Sequence, residues 1–246
     1  GRGYQGFIAN EFLNLSREAL LKFPQTDLVV WPESAFPEFL NEFARNKALP
    51  QMLFRFINET QKPILTGAYS KDPPEKPISD DYNGVFLFDH NQRLIEPPYH
   101  KTDLLIFGEY IPFWRELPWL AKLNPGGIGW GRGQGPQVWS LEIPSTQTLI
   151  KIGPQICYES LNPGFSRKLA RLGADVLVNV TNDSWFGPNF EPLQHLYMTF
   201  ARGLEVRRPV IRSTNTGISS VMLANGEVLE HSPLFKKWAG LFEVKY

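Results

Sequence analysis

Three residues with acyl-transfer chemistry each follow a segment that is predicted to be extended. Glu33 lies two residues after "LVVW", Lys101 follows "PPYH", and Cys157 follows "TLIKIGPQI". Loops that leave the strand ends of an open α/β sheet are where functional groups collect. A glutamate can act as the base, a lysine as the cation and a cysteine as the nucleophile of one site. We therefore expect these three side chains to meet in one cleft.

Cys157 is the only cysteine of the chain, so it cannot form an intrachain disulfide. It is an apolar filler, a redox-sensitive thiol or a nucleophile. A free thiol has a pKa near 8.5, and a neighbouring ammonium group favours the thiolate. If Lys101 lies beside Cys157, we expect a thiol pKa below about 8.5. Lys101 or nearby backbone N–H groups would then stabilise the oxyanion of an acyl intermediate.

Extended and helical patterns alternate along the chain, which indicates a layered α/β or α+β domain. Asn225-Gly226 is a hairpin signal suited to a tight primed turn. Surface loops are predicted at 70–81, which is rich in proline, and at 123–137, which is rich in glycine and expected to be mobile. Strands are predicted at 27–31, 63–69, 84–89, 148–153, 174–180 and 217–229, and helices at 11–23, 165–173 and 191–209.

The composition is that of an ordinary globular protein, with 42% hydrophobic and 20% charged residues over 246 positions. Lys plus Arg and Asp plus Glu are 25 each, so no net field attracts nucleic acid. No apolar run approaches the roughly 18 residues needed to cross a bilayer, and taken alone the chain is expected to be soluble. The four histidines lack metal-ligand spacing, so we expect neither a metal nor an organic cofactor.

The segments "WPESAFP", "YHKTDLLIFGEYIPF" and "ICYES" resemble the nitrilase (carbon–nitrogen hydrolase) superfamily. That superfamily uses a Glu-Lys-Cys triad, which corresponds here to Glu33, Lys101 and Cys157. With "NDSWFG", "QHL" and "RSTNTGIS", the chain looks like the periplasmic domain of the apolipoprotein N-acyltransferases. The resemblance extends from about Thr26 to Leu229.

This resemblance implies a four-layer αββα sandwich, with 1–246 as a single nitrilase-like catalytic domain. It also implies that the cysteine takes an acyl chain from a phospholipid as a thioester. The acceptor would be the N-terminal amine of a diacylglyceryl-modified apolipoprotein. Glu109 would be a second acidic residue beside the triad, Tyr158 and Glu159 would shape the turn of the nucleophile, and Trp185 would line the site. Tyr158 and Trp185 fit structural support equally well.

The resemblance also implies a location at the bacterial inner membrane, with the catalytic domain on the periplasmic side. The family carries transmembrane helices before this domain and usually one after it. Its domain also begins with a strand of the "VALVQGN" kind, and neither feature occurs in these 246 residues. Attachment to the membrane is therefore expected through helices of a longer parent protein.

Two other functions remain open at this level. One is a soluble amidase that uses the same triad with water as the acceptor, and the other is a silent domain that only binds lipoproteins. An apolar segment after Lys101 favours the acyltransferase, because a lipid donor needs an apolar entry surface. A loop that is packed onto the domain would explain this segment equally. Its apolar residues are Phe107, Ile111, Phe113, Trp114, Leu117, Trp119 and Leu120.

Overall fold

Two mixed β-sheets stack on each other in the described part of the chain, and each carries helices on its outer face. This arrangement confirms the expected four-layer αββα sandwich. The computed structural model describes residues 2–73, 80–95, 97–111, 113, 119, 129–185, 187 and 190–246.

The first sheet is formed by strands from the first half of the chain. It consists of β1 (Val29–Val30), β2 (Phe36–Phe39), β3 (Ile64–Lys71), β4 (Asp81–Phe88) and β5 (Tyr99–His100). Strands β1 and β2 both run parallel to β3, one after the other along it. Strand β4 is antiparallel to β3 over the full length of both, and β5 is antiparallel to β4.

The second sheet has the order β10-β9-β8-β7-β6. Its strands are β6 (Trp139–Ile143), β7 (Thr148–Ile156), β8 (Val176–Thr181), β9 (Val210–Thr214) and β10 (Ser220–Met222). The three central strands β7, β8 and β9 are parallel, so their carboxyl ends lie at the same edge. Cys157, which follows β7, and the residues that follow β8 and β9 therefore emerge together.

Four helices form the outer layers in the described ranges. They are α1 (Arg2–Lys22), α2 (Ala48–Thr60), α3 (Pro163–Arg171) and α4 (Glu191–Val206), and short 3₁₀ helices lie at Glu42–Ala44 and Cys157–Leu161. Helix α3 begins at a proline, and the Asn162 side chain caps it by accepting hydrogen bonds from two backbone N–H groups. No helix of the described ranges is both long and apolar enough to cross a bilayer.

Strands β3 and β4 are buried on both faces, which places them between two cores. Leu65, Val85 and Leu87 belong to the core shared by the two sheets. Phe86 and Phe88, which alternate with them, belong to the core under α1 and α2. Side chains of successive strand residues point to opposite faces, so each strand serves both layers. Each such fully buried side chain contributes about 1.5–3 kcal/mol.

Several local predictions are corrected by the structure. The first helix begins at Arg2 rather than at residue 11, and strands β2, β6 and β9 were not predicted. The primed turn at Asn225-Gly226 is wrong, because only Gly226 of this pair has a positive φ, at 90°. A primed turn of this type needs a positive φ at both central residues. The hairpin itself is present, and Met222 pairs with Val228.

The two predicted loops are tied more closely to the sheets than expected. Ser70 is fully buried within β3, so the prediction of a surface loop is wrong at that end, and residues 74–79 lie outside the described ranges. In the glycine-rich loop, 129–137 contain neither helix nor strand, while 123–128 are not described. The N–H of Gly131 donates to the Asp81 carbonyl (2.8 Å).

Candidate active site

Glu33 is buried at the junction of the two sheets, just beyond the end of β1, with 6% of its surface exposed. Its Oε1 accepts a hydrogen bond from Asn83 Nδ2 (2.7 Å), and its Oε2 accepts one from the N–H of Asn182 (2.8 Å). Asn83 belongs to the first sheet, whereas Asn182 follows β8 of the second. Both carboxylate oxygens are therefore held from opposite sheets, which fixes the orientation of the carboxylate.

Lys101 directly follows β5 and is 3% exposed. Its N–H donates to the Asn83 carbonyl (2.9 Å), and its own carbonyl accepts from the N–H of Gly133 (2.8 Å). Lys101 Nζ donates to Glu109 Oε1 at 2.7 Å and lies 3.6 Å from Glu33 Oε1. The ammonium group thus lies between two carboxylates, those of Glu33 and Glu109.

Cys157 is the first residue of the 3₁₀ helix that directly follows β7, and it is 7% exposed. Its φ of 51° lies in the left-handed region, which is strained for a residue with a side chain. Two side chains donate to its carbonyl, Asn179 Nδ2 at 3.2 Å and Ser160 Oγ at 2.9 Å. The strained conformation is therefore held from both sides.

The thiol of Cys157 has a pKa raised to about 12. Burial is the largest cause, and the charge of Glu33 raises the pKa further. The charge of Lys101 and the hydroxyl of Thr181 beside the thiol lower it, but by less. The expectation of a pKa below about 8.5 is therefore wrong. Spacing along the sequence indicated both Lys101 and Glu33 near the thiol, but not the burial that raises its pKa most.

The charges of the three groups depend on one another. Burial lowers the pKa of Lys101, but the negative charges of Glu33, Cys157 and Glu109 outweigh it, so the pKa is raised and the ammonium form persists. Burial raises the pKa of Glu33 more than Lys101 and Asn83 lower it. At rest the thiol of Cys157 is therefore protonated and Lys101 is an ammonium group. The raised pKa of Glu33 makes its carboxylate a stronger acceptor for the thiol proton.

Glu159 is fully buried and joins the segment of the nucleophile to that of the lysine. Its Oε2 accepts from the N–H of Ile156 (2.7 Å). Its Oε1 accepts from Tyr99 Oη (2.6 Å) and from the N–H groups of Thr102 (2.6 Å) and Asp103 (3.1 Å). Burial raises the pKa of Glu159 to about 7 against these hydrogen bonds.

Tyr158 and Trp185 have different surroundings. The Tyr158 ring stacks on His195 with 5.2 Å between centroids, and its hydroxyl donates to Glu191 Oε1 (3.3 Å). Trp185 is 84% exposed on the loop after β8. Within the described residues, the structure brings Tyr158 next to the nucleophile but leaves Trp185 at the surface.

The apolar segment after Lys101 is partly described. Ile111 is buried, whereas Phe107, Phe113 and Trp119 are 66%, 68% and 59% exposed. The three exposed rings favour an open apolar surface over a packed loop. Trp114, Leu117 and Leu120 lie outside the described ranges.

A buried polar network behind Cys157 was not identified as a site from the sequence. Arg212, Asn179 and Asp183 are each at most 1% exposed and are joined by hydrogen bonds. The signal was an asparagine inside the apolar run "VLVNV" and an arginine within "VIRST". In the part of the chain that the structure describes, no three His, Cys, Asp or Glu side chains are grouped so as to hold a metal ion.

Sequence comparison places this site among known proteins. The pattern of the carbon–nitrogen hydrolase family matches residues 8–238. The apolipoprotein N-acyltransferase of Bdellovibrio bacteriovorus is 51% identical over the whole chain, which covers 45% of that protein. That of Geobacter metallireducens is 35% identical over 91% of the chain, which covers 40% of it. The resemblance inferred from the motifs is confirmed, and the chain spans less than half the length of these relatives.

Two solved structures have a similar fold. A carbon–nitrogen hydrolase from Helicobacter pylori matches 93% of the chain and 80% of its own, with a TM-score of 0.68 and 15% identity. A double mutant of the amidase from Nesterenkonia sp. AN1, in complex with acrylamide, matches 94% of the chain and 80% of its own. Its TM-score is 0.62 and its identity 16%. At these identities the likeness concerns the fold alone.

Proposed function

The chain belongs to the carbon–nitrogen hydrolase family, and from this we propose that it is the catalytic domain, over 1–246, of a phospholipid-using N-acyltransferase. The observation that carries the proposal is the buried Lys101 ammonium between Glu33 and Glu109, in electrostatic contact with the lone thiol of Cys157. The 51% identity to an apolipoprotein N-acyltransferase supports acyl transfer as the reaction.

The first half of the reaction forms a thioester. Glu33 takes the proton of Cys157 as the sulfur attacks the ester carbonyl of a phospholipid. The Lys101 ammonium stabilises the oxyanion of the tetrahedral intermediate. When the intermediate collapses, the ester C–O bond breaks and Glu33 returns the proton to the leaving alkoxide. The products are a lysophospholipid and an acyl group on Cys157.

The second half transfers the acyl group to an amine. The N-terminal amine of a diacylglyceryl-modified apolipoprotein attacks the thioester carbonyl, and Glu33 removes a proton from the nitrogen. The C–S bond then breaks, the sulfur regains a proton from Glu33, and an amide is left on the acceptor. Glu109 keeps Lys101 in place through both halves, because its 2.7 Å contact is the shorter of the two that the ammonium makes with carboxylates.

The partners and the location follow from this reaction. Donor and acceptor both carry long acyl chains, and each CH₂ that is buried contributes about 0.8 kcal/mol. The exposed rings of Phe107, Phe113 and Trp119, in the segment that follows Lys101 in the sequence, supply an apolar surface for such chains. We place the domain on the periplasmic side of the bacterial inner membrane, attached through helices of a longer parent protein.

The test looks for the thioester directly. The protein, produced at the full length of its gene, is incubated in micelles of detergent and phosphatidylethanolamine, and Cys157 is examined by mass spectrometry. We expect an acyl adduct on Cys157 together with a released lysophospholipid. Addition of a diacylglyceryl-cysteinyl peptide should remove the adduct and acylate the amine of the peptide.

Cys157→Ala is the control, and it should give no adduct while keeping the fold by circular dichroism. If no adduct forms from lipid while small amides are hydrolysed at Cys157, the acyltransferase proposal is wrong and the domain is an amidase. If neither reaction occurs and the protein retains diacylated peptides, it is a binding domain.

A further inference from the structure

A charged cluster is buried behind Cys157, between the second sheet and α4. The guanidinium of Arg212, on β9, is inaccessible to solvent. Its Nη1 donates to Asn179 Oδ1 at 2.6 Å, and its Nη2 donates to Asp183 Oδ2 at 2.8 Å. Asp183 Oδ1 contacts His195 Nδ1 at 3.0 Å, and burial lowers the pKa of His195, so the imidazole is neutral. Arg212 and Asp183 therefore form a paired charge inside the protein.

One arm of this cluster reaches the nucleophile. Asn179 accepts from Arg212 with its oxygen, and the same amide donates through Nδ2 to the Cys157 carbonyl at 3.2 Å. The Arg212 contact fixes which way the amide points, because a flipped amide would turn its N–H₂ toward the guanidinium. Ser160 Oγ donates to the same carbonyl at 2.9 Å. The peptide unit that carries the left-handed φ of Cys157 is thus held by directed donors.

The other arm reaches the base. Asp183, fixed by Arg212, directly follows Asn182, whose N–H donates to Glu33 Oε2 at 2.8 Å. Gly217 packs directly against the Asp183 carboxylate, since a Cβ at position 217 would lie 2.0 Å from Asp183 Oδ2. The Asn182 N–H that orients Glu33 therefore lies between the end of β8 and a carboxylate that Arg212 holds in place.

A structural role alone does not account for this arrangement. Replacing a buried ion pair by apolar side chains of similar volume is often neutral or stabilising, so burial of charge is weak evidence for a role in stability. Here the charged groups point by directed hydrogen bonds at the nucleophile and at the base. That is the geometry of a support that orients reacting groups.

We propose that Arg212 is a positioning residue. Through Asn179 it holds the backbone of Cys157, and through Asp183 it holds the Glu33 carboxylate, in the relative positions that attack on the substrate requires. The inference rests on the proposed role of Cys157 as the nucleophile. Asn179 is the link to the sulfur-bearing residue, and Asp183 is the link to the base.

The test separates positioning from folding. Asn179→Asp keeps the oxygen that Arg212 binds and removes the N–H donor to the Cys157 carbonyl. We expect kcat for acyl transfer to fall by about 10²-fold with KM changed less than about twofold, as for a small misplacement of reacting groups. Alkylation of Cys157 by iodoacetamide at pH 9 should slow at least threefold, because the thiol gains a nearby negative charge. Both kcat and the alkylation rate are normalised to the amount of folded protein.

The matched control is Gln155→Met. Gln155 is as buried as Asn179 and lies two residues before Cys157, but its amide contacts Ser166. It should lose thermal stability and keep both kcat and the alkylation profile. The proposal is overturned if Asn179→Asp behaves like Gln155→Met.

Two further variants keep the test decisive if Asn179→Asp does not fold. Ser160→Ala removes the other carbonyl donor and should lower kcat about tenfold, whereas wild-type kcat contradicts the proposal. Arg212→Lys keeps the charge but cannot bridge Asn179 and Asp183, so it should alkylate like wild type and lose kcat. If the wild-type protein acylates nothing but hydrolyses small amides at Cys157, the proposed function fails, and the same comparison of kcat between Asn179→Asp and Gln155→Met, made on amide hydrolysis, still decides this inference.

Discussion

Replacing Glu33 with glutamine should change two properties of Cys157 in opposite directions. The variant keeps the shape of the side chain and removes its charge. Acyl transfer should fall by about 10²-fold or more, because the base is lost. Alkylation of the thiol should become faster, because Glu33 is the largest source of charge that raises the thiol pKa.

The magnitude follows from the thiol pKa of about 12. At pH 7 about 10⁻⁵ of the thiol is ionised, against about 3% of a free thiol of pKa 8.5. A more basic thiolate is also more nucleophilic, with a Brønsted slope of about 0.4–0.5, which offsets about 40-fold of that difference. Wild-type Cys157 should therefore react about 10²-fold more slowly than a free cysteine. Each unit by which Glu33→Gln lowers the pKa should speed alkylation about threefold.

The assay measures the second-order rate with iodoacetamide from pH 6 to pH 10 on the folded protein. In the wild-type protein the logarithm of the rate should rise throughout this range without the plateau of an ordinary thiol. Lys101→Met should slow alkylation, since Lys101 lowers the thiol pKa. Glu38→Gln, the same change on β2 in a carboxylate that pairs with Lys47 away from the site, is the control and should leave both rates unchanged.

Three results would refute the reasoning. If alkylation of Glu33→Gln is as slow as in the wild-type protein, the charge of Glu33 does not set the thiol pKa. If alkylation speeds up but acyl transfer persists, Glu33 perturbs the thiol without serving as its base. A plateau near pH 8.5 in the wild-type protein would mean that Cys157 is not desolvated.

Two further predictions concern residues around the base and the turn. Gly67→Ala should destabilise the fold by about 1–3 kcal/mol in urea unfolding, because a Cβ there would lie 2.6 Å from the Glu33 Cα. Gly6→Ala, where the nearest atom lies at 3.9 Å, is its control, and an equal effect of both would contradict the argument. Glu159 has a folded pKa of about 7 against an ordinary 4.5, so the stability it contributes is present below about pH 4.5 and lost as the pH rises to about 7. That loss should be about 3 kcal/mol, and it should be missing in Glu159→Gln; parallel pH curves for the two proteins would exclude it.

The sequence predicted the elements that depend on short-range pattern. The apolar runs of β3, β4 and β8 are visible without a structure, because a strand buried on both faces is apolar at nearly every position. Glu33, Lys101 and Cys157 stand out because each follows an extended segment. Strand β9 was not predicted, because Arg212 interrupts its apolar pattern for a reason that only the buried partners explain.

The direction of the thiol pKa could not be predicted from spacing. A cation near a thiol lowers its pKa only when burial and neighbouring carboxylates do not outweigh it. Both terms are properties of the packed site, where Cys157 is 7% exposed and Glu33 is also close. The link between Asn179 and the Cys157 carbonyl was equally hidden, because Asn179 lies on β8 and Cys157 follows β7, 22 positions apart.

The division of the site between two sheets has a consequence for how the chain folds. Glu33 is held by Asn182, 149 positions away, and Glu159 binds Thr102, 57 positions away. Contacts at such separations form slowly, because a long loop must be closed before they stabilise anything. Neither sheet alone contains both the thiol and the carboxylate that controls it. A refolding chain should thus carry an ordinary, reactive thiol until the two sheets dock. The moment at which thiol reactivity falls would therefore mark this last step of folding.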